Sequence, residues 1–336
     1  MSAFHTSQWW ADTLALLNVD FVQQSILAAL LLGVLSGAIA PIIVMRNMSF
    51  AAHSTGELAL MGAAAALLFS FSVSWGALLG AVCAAVILGV VGAREQDSIV
   101  AVVLSFGMGL SVLFIYLYPG RSSTAFSLLT GQIVGVSSSN MKMLAVMTVI
   151  VVAVIALLWR PLLFATVDPT MAAASGVKVR LLSVLFAALL GAVASQGVQI
   201  VGALLLIALL ITPGAAAVKV TANPLVAVVL SAVFSVTAAV GGLVLSLAPG
   251  LPVSVFVTTL SFLIYLVCWF IEWLRGRRMD ADEVRAASYA AGQGLSGVAG
   301  RAGQSGAAGL SSQPGMDSSV PLCEADSCAN PENHQR

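Results

Sequence analysis

Polar residues are scarce between positions 22 and 274, and where they fall they divide the apolar sequence into bilayer-sized lengths. A helix needs about 20 apolar residues to cross the hydrocarbon core. Runs of that kind lie near 22–44, 48–71, 74–92, 98–118, 141–159, 225–247 and 253–274. An eighth stretch, 181–212, has 32 residues and is interrupted by Ser195-Gln196-Gly197 and by Gln199. It reads either as one overlong helix or as two short crossings joined by a tight turn.

Positive charge separates those two readings, because Lys and Arg accumulate in short cytoplasmic loops. With the N-terminus outside and 181–212 crossing twice, Arg46, Arg94, Arg160, Lys178, Arg180, Lys219, Arg275, Arg277 and Arg278 all fall inside. Only Arg121 and Lys142 then fall outside. A single crossing would put Lys219 and the Arg275–Arg278 cluster on the wrong side. The expectation is an all-α polytopic bundle of about nine transmembrane helices, N-terminus outside and C-terminus inside. Each half of 181–212 has only about 15 residues, so a re-entrant hairpin stays open as an alternative.

Two connections are long. Residues 119–140, on the outer side, contain an apolar patch and are candidates to dip into the membrane. Residues 160–180, on the inner side, carry helix punctuation: Asp168 as N-cap, Pro169 at the first helical position, Gly176 just past the end. That predicts a short cytoplasmic helix over 169–175. After Arg278 the chain turns rich in Gly, Ser and Ala, which predicts a disordered cytoplasmic tail over 279–336. The organisation expected is therefore an extracytoplasmic segment, 1–21, a transmembrane domain, 22–278, and that tail.

Composition agrees with the pattern. Hydrophobic residues make up 60% of the chain and charged residues 8%, against roughly 25% charged in soluble domains. Lys and Arg balance Asp and Glu at 14 each, which gives no hint of nucleic-acid binding. Cys83 and Cys268 lie in apolar spans and read as small core residues; with Cys323 and Cys328 they form no disulfide framework. No Lys or Arg precedes Arg46, so the basic start of a signal peptide is missing and the first span is expected to be a retained anchor.

Candidate chemistry concentrates in one place. His53 and Glu57 are four residues apart inside an otherwise apolar, small-residue stretch, so they share a helix face on successive turns. An ionisable group at membrane depth costs roughly 2.5–3.5 kcal/mol for a central Asp on insertion scales, and is a functional candidate by default. Ser49 extends the stripe by a turn, and Ala52, Gly56, Ala59 and Ala63 flank it with side chains small enough for close helix approach. One imidazole nitrogen and one carboxylate oxygen suit zinc, manganese or iron(II). A structural His–Glu hydrogen bond, or a pair reaching out to interfacial water, is the plainer alternative. Ser49, Gln132, Gln196 and Gln199 are polar enough to supply further ligands.

The short helix at 168–176 has the character of a docking element on the cytoplasmic face, or of a surface helix that covers loop ends. GxxxG spacings at Gly33–Gly37 and Gly76–Gly80 favour close helix packing but are frequent in membrane chains. The tail residues Cys323, Glu324, Asp326, Cys328 and His334 read as a solvated segment rather than a metal site. No GxxxxGK[ST] loop occurs, so no ATP is expected to bind by that route. Neither HExxH nor GxSxG with suitable partners occurs, which weakens protease and hydrolase readings.

Several segments together resemble the membrane permease subunit of bacterial zinc/manganese ABC importers. They are RNMSFAAHSTGELALMGAAAALL (46–68), QDSIVAVVLSFGMGLSVLF (96–114), DPTMAAASGV (168–177), VGALLLIALLITPGAAAVKV (201–220) and PGLPVSVFVTTLSFLIYLV (249–267). They occur in the family's order over about 22–274. Siderophore and cobalamin permeases share the general architecture, with motifs that match less well. The resemblance implies a multi-pass protein of the bacterial plasma membrane that is not itself an enzyme. It implies a homodimer of permease chains on ATP-binding cassette subunits, fed by an extracytoplasmic metal-binding protein. The cargo would be a divalent zinc, manganese or iron ion, with no cofactor bound by this chain.

The family usually places an aspartate and then a histidine four residues later in its second span. Here His53 stands at the aspartate position and Glu57 at the histidine position, so the ligand types are exchanged while the spacing is kept. The resemblance implies that His53 and Glu57 line a metal path, and that Asp168, Pro169, Ala172 and Gly176 belong to the segment that docks on the ATPase. The alternatives are an importer of a metal chelate, an ion-coupled secondary transporter that uses the pair as a proton site, and an intramembrane enzyme.

Overall fold

The computed structural model describes residues 19–90, 96–120, 128, 137–247 and 252–275. Within them the chain is helical, with no strand. We number the helices in chain order: α1 Asp20–Met45, α2 Ser49–Leu68, α3 Val73–Val90, α4 Gln96–Leu117, α5 Ser138–Leu157, α6 Trp159–Val167, α7 Pro169–Ala174, α8 Val179–Val201, α9 Ala203–Leu210, α10 Thr212–Val220, α11 Pro224–Leu247 and α12 Val253–Arg275. Six helical segments among the described residues are long and apolar enough to cross a membrane: α1, Ser98–Leu117 of α4, α5, α8, α11 and α12. Val73–Ile87 and Leu205–Val220 are shorter apolar helices.

The turns obey local chemistry. Helix α1 ends with the Met48 N–H bonded to the Ile43 carbonyl and the Asn47 N–H to that of Val44, while Asn47 sits at φ 54°. This is a left-handed C-terminal cap, and Asn is the non-glycine residue best suited to it. Helix α2 closes in the same way, with Ser70 at φ 59° and Phe71 bonded back to Ala66. Short, stiff reversals of this kind join α1 to α2 and α2 to α3.

Two glycine seams set the bundle. Gly33 and Gly37 let α1 lie against α11: a Cβ on Gly33 would come within 2.8 Å of the Val236 Cα, and one on Gly37 would strike Ala232. Gly76 and Gly80 do the same between α3 and α2, where Gly76 meets Gly62 and Gly80 meets the Leu58 carbonyl. Both GxxxG spacings are thus used for backbone-level packing. Helix α8 packs against α3 and α2, and α10 fits between α1 and α11.

The core runs through Leu32, Leu35 and Ile39 of α1, Leu190 of α8, and Leu206 and Leu209 of α9, each less than 2% exposed. Helices α4, α5 and α12 instead leave most of their apolar surface open, including Phe106, Val149 and Phe270. Apolar exposure on that scale is unlike a soluble protein and suits lipid.

The 181–212 stretch divides elsewhere than its polar residues suggest. Helix α8 passes unbroken through Ser195–Gln199, because Gln199 donates to the Ser195 carbonyl (2.9 Å) while its amide oxygen accepts from the Ser74 hydroxyl of α3 (2.6 Å). The break comes at Gly202, with φ 81° and ψ 162°, a conformation open in practice only to glycine. The halves are therefore unequal: 23 residues in α8, then α9 and α10 continuing to Val220. Likewise 160–180 holds α6 as well as the expected short helix. Most of 119–140, with Gln132, and the segments 1–18 and 276–336 fall outside the described residues.

Candidate functional site

Helix α2 is enclosed by its neighbours, with α3, α4, α8 and α9 all packed on it. Small residues make that enclosure possible: Ala52, Ala59 and Ala63 are each no more than 1% exposed. Its rotation is fixed by its neighbours. Gly62 and Ala66 face α3, the Leu58 side chain reaches Gly107 of α4, and Gly56 faces Leu206 of α9, whose Cδ2 would lie 3.2 Å from a Cβ there. At 100° per residue, His53 and Glu57 point to roughly the opposite side of the helix from α3. They share that side with Phe50, which is 67% exposed.

Glu57 is buried, at 8% exposure, and His53 is half-buried. Helix α4 approaches from beside the pair: Gly107 lies over Leu58 and the Glu57 backbone, and the Ser111 hydroxyl donates at 2.7 Å to Gly107 and at 3.5 Å to the Glu57 carbonyl. One nitrogen donor and one carboxylate thus stand on adjacent turns of α2. No group of three or more His, Cys, Asp or Glu that could hold a metal ion occurs among the described residues. Of the other polar candidates, Ser49 opens α2, Gln199 is tied to α3, and Gln196 is 2% exposed with its amide nitrogen unpartnered.

The second candidate element forms as its punctuation predicts. The Asp168 carboxylate accepts from the backbone N–H of Met171 (2.9 Å) and Thr170 (3.0 Å) and from the Thr170 hydroxyl (2.6 Å). Those bonds, led by the one from Met171 and then the Thr170 hydroxyl, hold its carboxyl below the usual carboxylate range. Pro169 takes the first helical position, and Gly176 ends α7 at φ 85° with Val177 bonded back to Ala172. Ala172 is fully buried against the chain's own helices, whereas Thr170, Met171, Ala173 and Ala174 are exposed. Of the expected docking residues, Asp168, Pro169 and Gly176 shape the helix and Ala172 anchors it. Met171, 60% exposed, is the large apolar side chain that α7 turns outward; nothing local in the sequence marks it, because its exposure follows from the burial of Ala172 against distant helices.

Residues 18–272 match the ABC 3 transport family. The chain belongs to that family. Similar proteins include the manganese transport system membrane protein MntC of Halalkalibacterium halodurans, 28% identical over 284 residues, covering 81% of this chain and 97% of that one. Another is the manganese import system permease protein ScaB of Streptococcus parasanguinis, 28% identical over 255 residues, covering 75% of this chain and 90% of that one. Among solved structures, PsaBC from Streptococcus pneumoniae in complex with Fab is similar at a TM-score of 0.72 and 24% identity, over 78% of this chain and 95% of that one. At that identity the likeness speaks for the fold. With its several apolar helices, this ABC 3 family member is a multi-pass bacterial membrane protein.

Proposed function

We propose that this chain is the membrane-spanning permease subunit of an ATP-driven importer of a divalent transition-metal ion, with manganese the first cargo to test. The observation that carries the reading is the His53–Glu57 pair on adjacent turns of an enclosed, small-residue helix. Family membership and the manganese relatives support it.

In this reading the helices make nine crossings, with α9 and α10 together forming one of them, the N-terminus outside and the C-terminus inside. Two copies of the chain pair so that each presents His53 and Glu57 to a shared path, completing a coordination shell that one copy lacks. An extracytoplasmic binding protein delivers the ion, which sheds water and is held by the imidazole nitrogen and the carboxylate. The ion's charge offsets the burial of Glu57, and the imidazole binds only when neutral, so uptake weakens in acid. Two ligands per chain hold the ion loosely enough to release it, as conduction requires.

Helix α7 docks on a separate ATP-binding subunit through Thr170, Met171 and the exposed alanines. ATP-driven movement arriving there opens the path inward. The test is manganese uptake into vesicles holding the permease and its ATPase, with zinc and iron(II) as competitors. Uptake that needs ATP supports the reading, while uptake driven by a proton gradient alone favours a secondary transporter.

A further inference from the structure

Arg46 closes α1 and reaches toward the segment that carries α7. Its Nε–H donates to the Thr166 hydroxyl at 3.1 Å, and its guanidinium stands 4.9 Å from the centre of the Phe186 ring. Thr166 already donates its own proton to the Leu162 carbonyl at 2.7 Å, so its oxygen is left to accept from Arg46. Phe186 is fully buried.

The placement of these two partners is informative. Thr166 lies on α6, two residues before the Asp168 cap of α7, and Phe186 lies on α8, ten residues after Gly176. One guanidinium therefore holds both arms from which α7 projects. On its other side Arg46 leads directly into the left-handed turn at Asn47, and α2 begins at Ser49 with His53 one turn further on. That turn is closed by the bonds from Asn47 to Val44 and from Met48 to Ile43, so it moves as a unit with the end of α1. Ile42 and Met45 of α1 line one crevice with Trp159, Leu162 and Thr166, which adds an apolar contact to the polar one.

We propose that Arg46 is a positioning residue that couples α7 to the His53–Glu57 pair, a strut that makes displacement of α6 and α8 turn the start of α2. The proposal rests on the reading of α7 as the ATPase-docking helix. A planar guanidinium suits the role, since it bonds through Nε and stacks on a ring at once, which an ammonium does not.

The experiment uses the permease assembled with its ATP-binding subunit in vesicles, with Mn2+ as the probe, and reads manganese ions moved per ATP hydrolysed. Arg46→Gln, Arg46→Lys and Thr166→Val are compared with Gly176→Val. We expect Arg46→Gln to lower the ratio by about threefold or more, the scale on which mutations along a coupling route act. Thr166→Val lowers it in the same direction, Arg46→Lys restores part of it, and ATP hydrolysis persists in each. The double variant Arg46→Gln, Thr166→Val is no worse than Arg46→Gln alone. Parental ratios in Arg46→Gln and Thr166→Val, while Gly176→Val uncouples, overturn the strut alone. Parental ratios in all of them, Gly176→Val included, overturn the docking reading beneath it. Should Arg46→Gln fail to assemble, the nearly isosteric Thr166→Val decides.

Discussion

Gly80 of α3 rests on the carbonyl oxygen of Leu58, the residue that follows Glu57, with no room for a Cβ between them. That contact, repeated one turn away where Gly76 meets Gly62, fixes the rotation of α2 and so the direction in which Glu57 points. Gly80→Val should part the two helices, lowering stability by about 1–3 kcal/mol as overpacking does, and lowering transport as well. Gly109 of α4 has nothing within 4 Å of its Cβ position. Gly109→Ala should therefore leave stability unchanged or raise it by about 0.5–1 kcal/mol. Thermal unfolding of the two variants in one detergent compares them directly, and equal melting temperatures would remove the seam from the account.

Gly176 presents the opposite case, with open space around it but φ at +85°. A side chain there meets no neighbour and still suffers, because a left-handed backbone costs an L-residue roughly 1–2 kcal/mol. Gly176→Val should uncouple ATP hydrolysis from transport, while Gly176→Asn, which tolerates that conformation, should be much milder. Both are read as ions moved per ATP.

The Asp168 cap has a definite pH dependence. Its carboxyl is held below the usual range by the Met171 N–H and the Thr170 hydroxyl. A depressed value means that the cap's contribution is full above the ordinary carboxylate range and fades as pH falls through the lowered value. Coupling that depends on this cap should thus persist at every pH from neutral down to the usual carboxylate range. Asp168→Asn keeps a capping oxygen and should retain coupling; Asp168→Ala should lose it. Hydrogen exchange at the Thr170 and Met171 amides would register the loss of the cap.

Much of this fold is legible in the sequence, for reasons that differ by region. The Asp168–Pro169–Gly176 punctuation is a local signal, and helix α7 carries it as written; the apolar runs are local signals too, and among the described residues six helices are long and apolar enough to cross a membrane. The division of 181–212 is not local. Ser195, Gln196 and Gln199 read as an interruption, yet Gln199 finds Ser74 on another helix, and the break moves to Gly202. The burial of Ala172 and the reach of Arg46 to Thr166 and Phe186 likewise depend on partners far along the chain. GxxxG spacing shows that helices can approach closely; only the tertiary structure says that Gly33 meets α11 and Gly80 meets α2.

The order of ligands along α2 should matter less than their spacing. The double variant His53→Asp, Glu57→His keeps one nitrogen and one carboxylate four residues apart on the same side. It should retain ATP-dependent manganese uptake that the single variants lose. Uptake no better than in either single variant would mean that the pair is read in a fixed direction or packs in a specific orientation.

The most direct test of the central claim is ATP-dependent manganese uptake by Glu57→Ala, measured in vesicles where assembly with the ATPase is verified in parallel. Our account predicts uptake no higher than in vesicles lacking the permease, with the complex intact. Undiminished uptake in that variant would contradict it.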